Sequence, residues 1–334
     1  MNGSTIEGGT LNVSGGGIIQ VAGAGNSAGF DGITVGQITN KGTFLIDNGA
    51  RLDLNGTINN TGTILLNQVS TTGTTNIRIT GQNVTLTGAG KLILSDANNN
   101  QIFGTNASNT LTNLNNTISG AGQIGTGQSM FLVNKSVINA DQAPTAVMSG
   151  QLVLNTGGNI ITNTGTLEDT GTGGLVIQST AVNNAGGTIL ATGAGTHVDL
   201  AGGGIQGGTL TTAGGGVIQT VGGNGSLDGI TNGVINNKGT VQVNDATTLT
   251  LVGAINNTGT ISQASLGSNT DVRIGNQTVA LTGAELRCRG LLLRSGALNG
   301  AGPGDCAAGG GQGSETRRLG RTHVRFRAGS PQRK

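Results

Sequence analysis

INNTGTI occupies residues 58–64 and returns unchanged at 255–261. Each copy sets an isoleucine, an Asn pair, a Gly-Thr step and a second isoleucine in close succession, which reads as the end of one short strand, a turn and the start of another. The surroundings repeat with it. EGGTL at 7–11 corresponds to QGGTL at 206–210, DGIT at 31–34 to DGIT at 228–231, and NKGT at 40–43 to NKGT at 237–240. IRITGQNVTLTGA at 77–89 is echoed by VRIGNQTVALTGA at 272–284, so the offset drifts only from 199 through 197 to 195. A large unit has been duplicated, with copies at about 1–199 and 200–284, the second incomplete.

A shorter beat runs inside that unit. Gly-Thr pairs begin at 42 and 62, at 165, 187 and 208, and at 239 and 259, a nearly even step within each group. Longer gaps hold insertions, and those at 23–30 and 98–113 are the candidates. The beat predicts the coil of a β-solenoid, with short strands separated by Asn/Gly turns. One coil has no core of its own, so each strand must pair with its equivalents in neighbouring coils, and like side chains must stack along the axis. Ile38 on Ile58 and Ile235 on Ile255 are expected inward stacks. Asn40 and Asn60 are expected to form an amide ladder, since an amide both donates and accepts. Roughly ten to thirteen coils at about 4.8 Å each would give a rod of about 50–60 Å.

Composition agrees. The 334 residues include 65 glycines, only 5 phenylalanines, and neither tryptophan nor tyrosine. Aromatic rings supply much of the area buried in ordinary globular cores, so their scarcity favours a thin, repeated core of Val, Ile and Leu. No Gly-X-Y period suggests collagen, and at 34% hydrophobic with regular spacing the body does not read as disordered. No apolar run of about 18 residues is present for a membrane span, and MNGSTIEGGT has no signal-peptide pattern.

The INNTGT, ITNTGTLE and GGTL units, with NNTISGAGQIG at 115–125, resemble the β-strand repeats of large bacterial exoproteins of the filamentous-haemagglutinin-like and autotransporter-passenger type. The resemblance covers residues 1–284. It implies an all-β, right-handed parallel β-helix, an extracellular or cell-surface location for the full-length parent, and a role as a structural stalk or adhesive passenger region. The partners it implies are a host or neighbouring-cell glycan or protein.

After LTGA at 281–284 the pattern stops. The first copy continues as GKLILSDANNN, whereas the second continues as ELRCRGLLLRSGALNGAGPGDC. Residues 285–334 hold ten of the 17 basic residues, both cysteines and two of the three prolines. The tail therefore carries about +7 (10 basic, 3 acidic) and the body about −5 (7 basic, 12 acidic). We read this off-pattern tail as disordered and as the product of a reading frame shifted near codon 285. A basic targeting or anchoring segment is the alternative.

The sequence offers no catalytic, cofactor-binding or metal site. Cys288 and Cys306 stand far apart in sequence with His323 beyond, which lacks the close ligand pairs of a metal centre. Arg317, Arg318, Arg321, Arg325 and Arg327 form a basic run that reads as a by-product of the tail and not as a nucleic-acid interface. His197 is the body's single histidine and reads as a lone solvent-facing residue. Glu168 and Asp169 should face opposite sides of a strand. GGNGSLDG at 222–229 lacks the iterated calcium repeat, so Asp228, like Asp31, reads as a turn residue making an Asx hydrogen bond. The glycine-rich 23–29 likewise reads as a turn and not as a phosphate loop. Lys41 with Lys238, and Arg78 with Arg273, occupy equivalent repeat positions.

The expected function is non-catalytic, as stalk or adhesin. A carbohydrate-active β-helix lyase or hydrolase is the enzymatic alternative, and a truncated, non-functional gene product is the other. Met1 falls inside a repeat and neither end reads as a cap, so unpaired strand edges should template further pairing through the solenoid ends. Residues 1–284 are therefore expected to self-associate, with the weight-average mass in analytical ultracentrifugation rising across about a hundredfold concentration range. A capping coil added at each end should suppress the rise.

Overall fold

The computed structural model describes residues 1–69, 72–128, 130–266 and 268–283, without the side chains of 276–278. Beyond these it gives only the backbone of four short strands, Leu286–Cys288, Leu291–Leu293, Gly296–Leu298 and Arg325–Phe326. Most of the tail, with the expectation that it is disordered, lies outside the described residues. The described residues are all-β and contain no helix. Parallel strands stack as a β-solenoid of about 11 turns, or about 53 Å at the usual spacing between strands.

Three parallel walls enclose the core. The first wall begins with Ser4–Glu7, Ser27–Gly32 and the first part of Arg51–Asn60. Gly9–Leu11, Ile38–Asn40 and the last part of Arg51–Asn60 start the second. The third starts with Ile18–Val21, Thr43–Ile46 and Thr63–Leu66. Side chains alternate between the interior and the outside, as a pleat requires. Arg51–Asn60 therefore reads intermediate-buried throughout, with Leu52, Leu54, Ile58 and Asn60 pointing in. Like stacks on like along the axis: Leu52, Ile77, Ile102, Ile124, Leu154, Ile177 and Leu200 succeed one another in register up the first wall. The expected pairs Ile38 with Ile58 and Ile235 with Ile255 are in register and fully buried. The sole described ring contact, Phe30 on Phe44 at 4.6 Å between centroids, fills a corner near the first coils.

Coil length varies, and the longer coils do not fall where the sequence beat placed the insertions. Leu200 pairs with Thr220 and Ile124 with Leu154, so the second of these coils is half as long again as the first. Among the described residues the longest excursion lies between Ala140 and Leu152. Residues 98–113 are not an insertion, since Asn100–Gly104 and Thr110–Asn113 are regular strands of the first and second walls. Only the first half of 23–29 is a turn, because Ser27 already begins a strand.

Buried asparagines hold the corner between the second and third walls. Asn40 Nδ2 donates to Asn60 Oδ1 at 2.8 Å, as expected. The next coil carries Gly88 at the equivalent place with φ of 96°, where a Cβ would lie 2.5 Å from Asn60 O. Asn116 from the coil beyond fills the gap, accepting from Asn60 Nδ2 at 2.9 Å and donating to Thr87 O at 2.7 Å. Asn113 then donates to Asn134, Asn134 to Asn163 and Asn163 to Asn184, at 2.9, 2.8 and 2.7 Å. Each amide also fixes its own turn. Asn134 Nδ2 donates to Ser136 O and Asn163 Nδ2 to Gly165 O. The glycine of the corner is needed for close approach: a Cβ on Gly62 would sit 2.1 Å from Gly42 O, and one on Gly259 2.0 Å from Gly239 O.

The duplicated unit is not a whole number of coils. Ile58 lies in the second wall, and eight successive pairings carry that wall up to Leu251. Ile255, the repeat equivalent of Ile58, lies one wall further on, paired with Ile235 in the third wall. The second copy is therefore displaced by eight coils, about 38 Å, and turned by one face. The ladder moves with it, from Asn184 at one corner to Asn237, which donates to Asn257 at 2.6 Å at the next corner round.

Cutting the ladder in mid-run should cost more than removing an outward amide. Asn134→Ala is expected to lower unfolding stability by on the order of 2–3 kcal/mol, because buried partners in two coils lose their bonds. Asn59→Ala, on the outer face of the same corner, should cost less than about 0.5 kcal/mol. Denaturant unfolding of both variants measures the difference. Gly62→Ala should cost at least about 1–3 kcal/mol by forcing adjacent coils apart.

Candidate functional site

A group of titratable side chains, Glu168, Asp169, His197 and Asp199, lies where the third wall turns into the first. Thr166–Asp169 ends the third-wall strand, and its alternation puts Leu167 and Asp169 inside and Glu168 outside. The two acids thus face opposite ways, as expected. Asp169 occupies a place that apolar residues hold in adjoining coils, between Ala140 and Ala191. It is solvent-inaccessible. Its Oδ2 accepts the backbone N–H of His197 at 2.7 Å, while Oδ1 is buried without a hydrogen-bond partner. Burial pushes the Asp169 carboxyl up to about 7, with Asp199 adding to the rise and the His197 backbone, the His197 charge and the Gly171 backbone opposing it. Burial also raises Glu168.

His197 opens the strand His197–Ala201 and is not the lone solvent-facing residue expected from its isolation in sequence. Nδ1 lies 2.9 Å from Asp199 Oδ1, two residues along on the same face. Gln219 Nε2 donates to that oxygen at 2.8 Å. The ring rests on Gly174, where a Cβ would meet it at 2.2 Å. Its pKa is raised, first by the bond to Asp199, with burial opposing and Asp169 and the Thr172 backbone adding to the rise. The histidine is therefore locked by a neighbouring carboxylate, and its period-2 partner was the available sequence signal. The role of Asp169 was less visible, because only the three-dimensional register places it in an apolar stack.

The twin loops after DG behave as turns. Asp31 Oδ1 accepts the N–H groups of Ile33 and Thr34 at 2.9 and 3.2 Å, and Thr34 Oγ1 donates to Asp31 Oδ2. Asp228 repeats the geometry with Ile230 and Thr231, at 2.8 and 3.1 Å. The Thr34 hydroxyl and then the loop amides hold Asp31 below the usual carboxylate value. Against the cost of burial, Thr231 and the amides do the same for Asp228. Ile33, Val35, Ile230 and Val234 are exposed on these loops. The equivalent arginines have diverged in partner. Arg78 reaches across coils to Asp53 with two contacts of 2.7 Å, whereas Arg273 pairs at 2.9 Å with Asp271 of its own strand.

Among the described residues no cluster of three or more His, Cys, Asp or Glu side chains could hold a metal ion. Cys306, His323, Arg317, Arg318, Arg321 and Arg327 lie outside the described residues, as do the side chains of Cys288 and Arg325. No protein-family model, curated protein or solved structure matches the chain.

The two aspartate loops give a direct pH test. A carboxyl held low in the folded state contributes stability above its unfolded pKa and loses it as pH falls through the folded value. Thr34→Val and Thr231→Val should each raise the pKa of its own aspartate towards the ordinary value and weaken acid-side stability. Carboxyl-carbon NMR titration resolves the two shifts.

Proposed function

We propose that this chain is a stalk segment of a large bacterial surface or secreted protein of the β-repeat exoprotein type. It acts as a non-catalytic spacer outside the cell, holding other modules at a distance. The observation that supports this reading is the parallel strand pairing that continues from coil to coil through the described residues. Side-chain rows and amide ladders run from coil to coil, so neighbouring coils are tied to one another along the length of the rod.

A second reading, as an adhesive surface, is favoured by the twin DG loops. They repeat the same exposed Ile-Thr pair on different corners, Ile33-Thr34 and Ile230-Thr231, which suits a multivalent contact with a host or neighbouring-cell glycan or protein. Presented on beads to host cells and glycan arrays, residues 1–284 are expected not to bind. Saturable binding that disappears in the Ile33→Ser/Val35→Ser/Ile230→Ser variant would move the assignment from stalk to adhesin.

A further inference from the structure

An acid inside an apolar wall needs a reason to be tolerated. Asp169 sits between the methyl groups of Ala140 and Ala191, reached by no solvent, with one oxygen held by the His197 backbone and the other without a partner. A charge there would be poorly compensated, since an isolated buried carboxylate costs far more than its neutral acid. We propose that Asp169 is a proton-operated latch between the third and first walls: the coils meeting at this corner close when its carboxyl is protonated and open locally when it ionises.

The surroundings support that assignment. Glu168 on the same strand points outward, and Asp141 follows Ala140 on the adjoining coil as an exposed residue. The strand Thr188–Thr192, which supplies Ala191, carries no charge, and neither does Leu175–Gln178. His197–Ala201 brings the histidine and Asp199, and Val217–Thr220 adds only the neutral Gln219. No lysine or arginine lies on any of these strands to neutralise Asp169. Among the described residues the one cation that acts on Asp169 is His197 itself, and its ring is directed to Asp199.

The signs agree. The raised Asp169 value means that the folded state holds the proton more tightly than the unfolded chain. Its contribution is full below the ordinary aspartate value and is lost as pH rises towards about 7. His197, also raised, contributes below its unfolded value and loses that contribution as pH climbs through the folded one. Asp31 and Asp228 act in the opposite direction and at more acidic pH. Between pH 5.5 and 8 the corner around Asp169 should therefore loosen as the solution becomes more alkaline.

Hydrogen exchange on the full 334-residue chain, corrected for intrinsic exchange rates, tests this. For an opening that restores Asp169 to an ordinary carboxyl, the open population around 166–171 and 197–200 should rise about thirtyfold from pH 5.5 to pH 8. Protection in the second-wall strand Ile161–Asn163 should change much less. Asp169→Asn, a neutral amide of the same shape, should remove the rise between about pH 5.5 and 6.5 and leave only the part that His197 supplies above its ordinary value. Carboxyl-carbon NMR of Asp169 in the unmodified chain gives a readout that does not depend on the variant folding, with a midpoint near neutrality expected. A midpoint near 4, or the whole of the about thirtyfold opening retained in a folded Asp169→Asn chain, would overturn the latch.

Discussion

Everything in this molecule depends on hydrogen bonding along the axis at a fixed rise. Parallel coils separated by about 4.8 Å can satisfy backbone groups only through the coils on either side. An inward polar side chain at a corner meets the same condition. Asparagine fulfils it, because one amide carries both a donor and an acceptor and spans to an identical amide in the next coil. The runs Asn40–Asn60–Asn116 and Asn113–Asn134–Asn163–Asn184 are chains of this kind. The spacing also explains Gly62 and Gly259, whose missing Cβ atoms let one turn lie against the carbonyl of the next.

Because the constraint is local, it does not distinguish one wall from another. The Ile-x-Asn-x-Gly-Thr corner joins the second wall to the third at Ile58, and the third to the first at Ile255. Its internal geometry is the same in both places: Asn40 bonds Asn60, and Asn237 bonds Asn257. A duplication of eight coils plus one face is tolerated for this reason. It displays equivalent loops on successive corners of the rod, so surfaces copied together do not face the same way.

How much of this was legible in sequence follows from the range of each interaction. The coil, the stacks of Ile38 on Ile58 and Ile235 on Ile255, the Asn40–Asn60 contact and the aspartate turns all arise from short motifs, and short motifs can be read directly. Which wall a motif occupies is a sum over the lengths of all preceding coils. Those lengths differ by as much as half, as between the coil from Leu200 to Thr220 and the coil from Ile124 to Leu154, so the rotation of the second copy was hidden. The same limit mislocated the long excursion, which lies between Ala140 and Leu152 and not at 98–113. Thr110–Asn113 lacks the Gly-Thr step that marks other coils, and Asn116 takes over from the absent ladder residue at Gly88.

The polar corner also divides tolerable from intolerable burial. Asparagine, within a run such as Asn113–Asn134–Asn163–Asn184 where the neighbouring coil offers another amide, is satisfied by repetition. Asp169 has no equivalent above or below it, only Ala191 and Ala140, so repetition gives it nothing to bond. Its close hydrogen bond comes from outside the row, from the backbone of a residue that starts the next wall, with only a lesser backbone contribution from Gly171. In a fold where stability comes from like stacking on like, an unlike residue becomes the place at which solution conditions act on the stack. A proton is the smallest change that makes aspartate resemble its neighbours again.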